Sequence, residues 1–477
     1  MSTSPDGIYE PGIIDPGLPV PTPTQPFWLS SPSPLAKLRS PWLDQADIVI
    51  IGSGMTSVSL CRSLFAKCPD VSIIVLEARD LCSGATGRNG GHIKAMSPGV
   101  WVERKAQFGV QEALKIMEFE HGHLQSMTSC IKENGLERHC DLQLLEGLDV
   151  YHDRKVFERA VSAVKDMGRY NGKLAARYTV YESRQDLKAR GLGDHVVGAI
   201  GMPAASMWPY KMVTGLFERM IQQGHRLSIQ TNTTVTAVSE NLDSATVHTT
   251  RGTISARHLI HATNCWLGHL LPELRPFVSP VRANVQRQVP VPVPIPAPAP
   301  APQTQPQAQA QAPAHAGKNS FWLRYAEHDY DYLIQRPDGS YIIGRANTGR
   351  RATSDDGVMD VLPHAHLRGT TPLLFDFDFQ GVSGTMETSH AWSGAVAFTL
   401  DGNPFVGGLA GAGRGRSHQW VCGAYQGIGM VRAWRTAQGL ACLVVGEGLP
   451  GEFPGSMLLG EKRVLGFRDA VGRERKL

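Results

Sequence analysis

No apolar run in this 477-residue chain approaches the roughly 20 residues a helix needs to cross a bilayer, so no membrane span is expected. The N-terminus has neither the basic nor the apolar region of a signal peptide. Cysteine is sparse and scattered, at Cys61, Cys68, Cys82, Cys130, Cys140, Cys265, Cys422 and Cys442, and none forms a C-x-x-C pair. Zinc and thioredoxin-like chemistry therefore lack their signature, and free, mostly buried thiols in a reducing, cytoplasmic setting are the simpler account. The last residues, Arg475-Lys476-Leu477, are a weak variant of the S-K-L peroxisomal address, with Arg475 fitting poorly at its small-residue position. Charge of one sign is also scarce. The formal net charge of +4 lacks the concentrated basic face of an electrostatic nucleic-acid binder, so no nucleic-acid partner is expected. The 17 histidines are dispersed; no metal cluster and no Ser/His/Asp triad presents itself.

The composition that remains, 42% hydrophobic and 19% charged, allows a sizeable core, and the length suits two or three domains or one large two-part enzyme. Residues 1–44 are rich in Pro, Ser and Thr without helical or strand period, which predicts a disordered or loosely docked arm, with order beginning at Ala46-Asp47. A second biased stretch, Val289–Gly317, alternates proline and then Gln/Ala. It favours polyproline II and has no packing face. The strand-like text on either side, "SPVRANVQRQV" and "YLIQRPDGSYIIGR", makes it an insertion within one unit rather than a linker between two. Residues near 101–135 carry Phe108, Ala113, Ile116, Met117 and Leu124 at helical spacing, and Pro209–Gly224 reads as another helix closed by glycine.

The segment "IVIIGSGMTS", Ile48 to Ser57, is a buried strand running into a glycine turn. Gly52 permits the tight turn, and Gly54 lets backbone approach a pyrophosphate. A helix from Met55 to about Lys67 then points its amides at that charge. Ser57 stands where the dinucleotide fingerprint has its third glycine. The next strand, "VSIIVLEAR", ends in Glu77, about twenty residues on, where an acid bonds an adenosine ribose and disfavours a 2′-phosphate. A second glycine-rich loop follows, "RDLCSGATGRNGGH", Arg79 to His92. Its amides suit a second phosphate or the edge of a flavin, and Arg88 suits anionic charge; an exposed flexible loop is the bland alternative.

Taken together these residues resemble the glycine/D-amino-acid oxidase family of FAD-dependent oxidoreductases, in the branch with γ-glutamylputrescine and sarcosine-type oxidases and many fungal homologues. "GATGRNGGH" is similar to the family's flavin loop, and "RGTISARHLIHATNCW" to its returning strands. "SPVRANV", "AWSGAVAFTLDGNPFVG" and "GAYQGIGM" resemble later motifs in the same order. The resemblance implies an α/β fold, with a discontinuous Rossmann-like FAD-binding domain (45–100, 205–275, 386–450) and an antiparallel-sheet substrate domain (101–204, 276–385). It leaves 451–477 as a C-terminal tail. It implies non-covalent FAD, hydride removal from a carbon next to an amine, imine hydrolysis, and reoxidation by molecular oxygen to peroxide.

On the same basis the cofactor would meet Gly52, Gly54, Met55, Thr56, Glu77, Ala78, Arg79, Gly84, Ala85, Thr86, Arg88, Asn89, Gly90, Gly91, Val235, Ala262, Thr263, Asn264, Gly427, Ile428, Gly429 and Met430. Amides around Gly427 and Gly429 are candidate donors to the flavin ring. No catalytic residue is assigned. Arg282 and Arg345 are candidates to grip a substrate carboxylate, against an ordinary surface role. Tyr332 and Tyr425 are candidates for an amine pocket, against a core role. His390 reads as structural. The sequence departs from the family at Ile428, where His is frequent, at Val431, where some members carry Lys (Arg432 is next to it), and at Asn284, which replaces a common glycine. A flavin-binding scaffold or sensor, and a nicotinamide-dependent dehydrogenase, remain the alternatives.

Overall fold

The computed structural model describes residues 14–291, 319–326, 328–345, 352–375, 385–412 and 416–474, with backbone only for 411, 412 and 469–474. The expectations for residues 1–13, for 292–317 of the insertion and for Arg475-Lys476-Leu477 lie outside the described residues.

Two sheets organise the chain. In the first, Gln45–Ile51 lies parallel between Gly252–His261 and Ile73–Leu76, which in turn pairs with Leu227–Gln230. Gln419–Gly423 adds a further parallel strand beside Gly252–His261, and Phe405–Gly408 closes that edge antiparallel. The strands Val235–Glu240 and Ala245–Thr249 extend it antiparallel to the start of Gly252–His261. The run Ile48-Val49-Ile50-Ile51 is buried throughout, as β-branched strands covered on both faces are. The helix Met55–Lys67 returns across this sheet, and its buried residues include Ser57 and Ser59, not only apolar ones.

The second sheet has the strand order Met386–Thr399, Val278–Pro290, Tyr341–Arg345, Tyr330–Gln335, Asn319–Arg324, Gln143–Tyr151, Gly198–Ser206, His92–Ile93, with Thr179–Tyr181 beside Gly198–Ser206. It is antiparallel except between Asn319–Arg324 and Gln143–Tyr151, which run parallel. Both strands that flank the 292–317 segment belong to this sheet. The strand Met386–Thr399, grouped in the sequence with the FAD-binding segments, pairs along Val278–Pro290 and so lies in this second sheet.

One expectation, the loose N-terminal arm, is corrected, and two others gain detail. The helical region near 101–135 is two helices, Trp101–Phe108 and Val110–Glu133, because Gly109 at φ 79° breaks the run. The N-terminal arm, over its described residues, is not loose: Phe27 and Trp28 are buried, and order begins well before Ala46. Its prolines deny it regular structure, but its aromatic residues supply apolar area enough to dock it. The C-terminal segment forms a helix, Glu461–Glu474, whose Val464 and Phe467 are buried with Phe277 and Phe405.

Candidate active site

One large cavity lies between the sheets, with an empty volume of about 1750 Å³, part of it open to solvent. From the first sheet it is lined by the turn Gly52–Thr56, by Glu77 to Arg79, and by Val235, Ala262, Thr263 and Asn264. The loop residues Gly84, Ala85, Thr86, Arg88, Asn89 and Gly90 run along it, and Gly427 to Met430 close it. Every cofactor position expected from the sequence is therefore gathered in one place except Gly91, which turns away at φ 78° and donates its N–H to Asn89 Oδ1.

The turn is shaped by sterics. Gly52 has φ 102°, and a Cβ there would stand 2.7 Å from the Ala262 carbonyl oxygen; glycine alone fits. A Cβ at Gly54 would meet Thr86 Oγ1 at 2.9 Å. That same hydroxyl accepts the Met55 N–H, tying the start of the helix to the second glycine loop. Glu77 is held at both oxygens: Ser53 donates to Oε2 through its N–H and its hydroxyl, and the Arg79 N–H donates to Oε1.

The loop is braced from behind. Trp392 Nε1 donates to the Arg88 carbonyl, and Trp28 Nε1 donates to the Asn89 carbonyl. The Arg88 guanidinium, suited to anionic charge, meets it inside the protein: it lies 3.3 Å from Asp356 and donates to the carbonyls of Ser83, Ser393 and Thr24. Burial pushes its pKa down to about 10, with Asp356 opposing, so it stays cationic at neutral pH. Arg79 pairs with both oxygens of Asp356 at 2.9 and 3.0 Å. One buried carboxylate thus serves both arginines.

The second sheet contributes Ala283, Trp322, Tyr332, Gly394 and Val396, joined by His92 and Lys94. Tyr332 lies against Gly90 and Gly344, where any Cβ would collide with its ring. His92 Nδ1 bonds Ser320 Oγ at 2.9 Å, and burial, helped by the Lys94 charge, pushes its pKa down to about 3. Lys94 donates to the Leu148 carbonyl, lies 3.6 Å from Asp149, and is pushed by burial down to about 7. Sequence reading passed over Lys94 and took His92 only as the end of the glycine loop. Their signal was the alternation His92-Ile93-Lys94 directly after the loop, which puts 92 and 94 on one side of a strand.

The other candidates separate. Tyr425 reaches the cavity, but its phenol bonds Thr56 Oγ1 at 2.7 Å, bracing the helix rather than standing free. Arg282 does not line the cavity; it grips Asp360 with two N–H groups. Arg345 is likewise outside it, paired with Asp329 and Asp331. Asp360 at the start of the helix Val361–Leu374, and Asp329 and Asp331 at the start of the strand Tyr330–Gln335, thus neutralise the two arginines away from the site. Arg432 turns into the core onto Glu120. The Gly427 N–H is committed to the Ala397 carbonyl and is not a spare donor. His390 stacks edge-on against Phe27 outside the cavity. No group of three or more metal-ligating side chains occurs among the described residues, and all eight cysteines are free, seven of them buried.

A family model described as FAD dependent oxidoreductase (DAO) matches residues 47–443. The chain belongs to this family. It is 23% identical over 382 residues to the probable oxidoreductase OrdL of Rhizobium meliloti (strain 1021), covering 77% of this chain and 79% of the relative. Among solved structures it resembles glycine oxidase from Geobacillus kaustophilus, with TM-score 0.65, 16% identity, and coverage of 87% and 99% of the two chains. It also resembles L-amino acid deaminase from Proteus vulgaris carrying a deletion of its specific insertion, with TM-score 0.67, 15% identity, and coverage of 90% and 98%. The fold is that of DAO flavoenzymes, a Rossmann-like domain with a substrate domain.

The cavity fits the family's FAD. Thr263 Oγ1 and Trp266 Nε1 are buried, line the cavity and have no hydrogen-bond partner among the described residues. Such atoms cost about 1–3 kcal/mol each unless a ligand satisfies them. The glycine cradle at Gly52 and Gly54 leaves room at a helix start for a phosphate. Among the described residues, no helix is long and apolar enough to cross a membrane.

Proposed function

We propose that this FAD-dependent oxidoreductase oxidises the C–N bond of an amine or amino-acid-like substrate and holds its FAD non-covalently. The observation that carries the reading is the character of the second-sheet wall: Trp322, Tyr332 and a His92 kept neutral by burial. Glu77 is the one carboxylate that lines the cavity among the described residues, and it is engaged by Ser53 and Arg79. A wall of this kind gives an ammonium no counter-charge, so burial favours the neutral amine, the form from which a hydride can leave. When bound, FAD would take the two electrons and hydrogen from the carbon beside nitrogen, leaving an imine that water hydrolyses, and molecular oxygen would then take the electrons as hydrogen peroxide.

This chain's residues have the remaining tasks. Trp322 and Tyr332 exclude water beside the reacting carbon. Tyr425, through Thr56, holds the helix that receives the phosphates. The structural relatives, a glycine oxidase and an L-amino acid deaminase, support an amino-acid-like substrate. The test is anaerobic mixing of the holoenzyme with N-methyl amino acids, polyamine conjugates, D-amino acids and cyclic imino acids. Bleaching of the flavin by a member of this panel, and peroxide formed in air, is the expected result. Reduction only by an alcohol or hydroxy acid would sink the amine reading.

A further inference from the structure

The family match begins at residue 47, yet the cavity is also lined by Gly17, Leu18 and Pro19. Asp15, just before them, bonds His269, which sets them beside the helix Leu267–Leu270, whose His269 and Leu270 also line the cavity. We infer that the arm before the family domain is a part of the cofactor site: Gly17–Pro19 cover the adenosine half of the dinucleotide, and Thr24 and Trp28 hold the glycine loop in its binding shape. The inference rests on the FAD reading above.

The cover is clasped in place. Asp15 meets His269 Nδ1 at 3.0 Å through one oxygen and accepts from Arg275 at 2.6 Å through the other. The Gly17 N–H folds back onto the same carboxylate, and the Ser354 hydroxyl donates to the Pro16 carbonyl. His269 itself lines the cavity, so the clasp and the wall are one structure. Leu18 is 44% exposed. It gives the core little, and its apolar surface, with those of Trp266 and Leu270 on the same cavity wall, is what a flat heterocycle would cover.

The second half of the arm acts on the loop. Thr24 donates its N–H to the Asp356 carbonyl and accepts from Arg88 through both its hydroxyl and its carbonyl. The Trp28 ring stands where a Cβ at Gly91 would come within 2.9 Å of it. Leu29 presses on Gly87 in the same way, at 3.3 Å. A glycine-rich loop without these ties would be ordered only on binding, and affinity would fall by that ordering cost. A cofactor covered at one end also leaves only when the cover opens, which slows release.

The test uses the full chain, stripped of flavin and titrated with FAD, with ADP alone and with FMN alone, alongside apoprotein melting. Leu18→Asp should weaken FAD and ADP about tenfold, the scale of losing one buried leucine contact. FMN binding and the apoprotein melting temperature should stay as in the wild type. Asp15→Ala should speed FAD release, read as recovery of free flavin fluorescence. If wild-type chain takes up FAD and both variants match it in affinity and release, the inference is overturned while the FAD reading stands. A wild-type chain that takes up no FAD overturns the reading itself, and this inference with it.

Discussion

The hydroxyl of Ser57 donates to the carbonyl of Gly52 at 2.5 Å. The residue that replaces the fingerprint's third glycine thus bonds back across the phosphate turn. It is fully buried, so the helix and strand leave room for its side chain as well as satisfying it. Ser57→Gly should retain FAD while losing this bond and up to about 1 kcal/mol of helix stability. Gly54→Val is the contrast. Its Cβ would strike Thr86 Oγ1 and disturb the Met55–Thr86 tie, so bound flavin should be lost from a chain that still folds. The ratio of flavin to protein in the purified variants decides; full FAD in Gly54→Val would mean the turn does not cradle the cofactor.

Acid precipitation should release all flavin into the supernatant. The loop from Gly84 to Gly90 offers no His, Cys or Tyr side chain, and Arg88 is occupied by Asp356 and three carbonyls. Yellow colour kept in the pellet would point to His92, which lines the cavity.

Glu120→Gln should destabilise the chain by about 3–5 kcal/mol, because it leaves Arg104 and Arg432 buried without their counter-charge. Burial opposes the charge of Glu120, yet the two arginines hold its pKa down at about 2. Urea unfolding at neutral pH measures the loss; a midpoint equal to wild type would show the triad to be energetically neutral.

Stability should fall as the pH drops below about 6.5. His123 accepts the Arg435 N–H at Nε2 and therefore donates from Nδ1 to the Phe119 carbonyl. It is neutral, and burial pushes its pKa down to about 3. Between that value and the unfolded value near 6.5 the unfolded chain holds the extra proton, so folding weakens by about 1.4 kcal/mol per pH unit for this group. His123→Gln should lower stability near neutrality but flatten the acid slope. Melting temperatures across that range check it, and an unchanged slope would assign the titration to other buried histidines.

Replacing residues 292–317 with a short Gly/Ser loop should preserve flavin content and turnover. The flanking strands, Val278–Pro290 and Asn319–Arg324, are separated in the sheet by Tyr341–Arg345 and Tyr330–Gln335. Three strand spacings come to about 14 Å, so roughly ten residues suffice, and loop length itself costs only about 0.6 kcal/mol per doubling. Loss of flavin together with turnover would show that the segment packs on the fold.

Short-range pattern alone determined the nucleotide half of this protein. A β-branched run, two glycines and an acid about twenty residues on specify a strand, a turn, a helix and a second strand, because each is set by neighbours a few residues away. The motif order then carried the fold, since the later glycine loops converge on the same cavity. Tertiary structure decided what the charges do. Asp356 comes from 277 residues away to pair with Arg79, and also neutralises Arg88. Arg432 meets Glu120 across 312 residues. Arg282 and Arg345, which look available in sequence, are spent on Asp360 and on Asp329 and Asp331. The docked arm belongs to the same class: its prolines give no local period, and the aromatic pocket around Trp28, the Thr24 bonds with Asp356 and Arg88, and the carboxylate of Asp15 fix it to the site. Period and spacing register contacts along a strand or a helix; an ion pair between distant segments leaves no periodic trace, so burial and counter-charge settle it once the chain is folded.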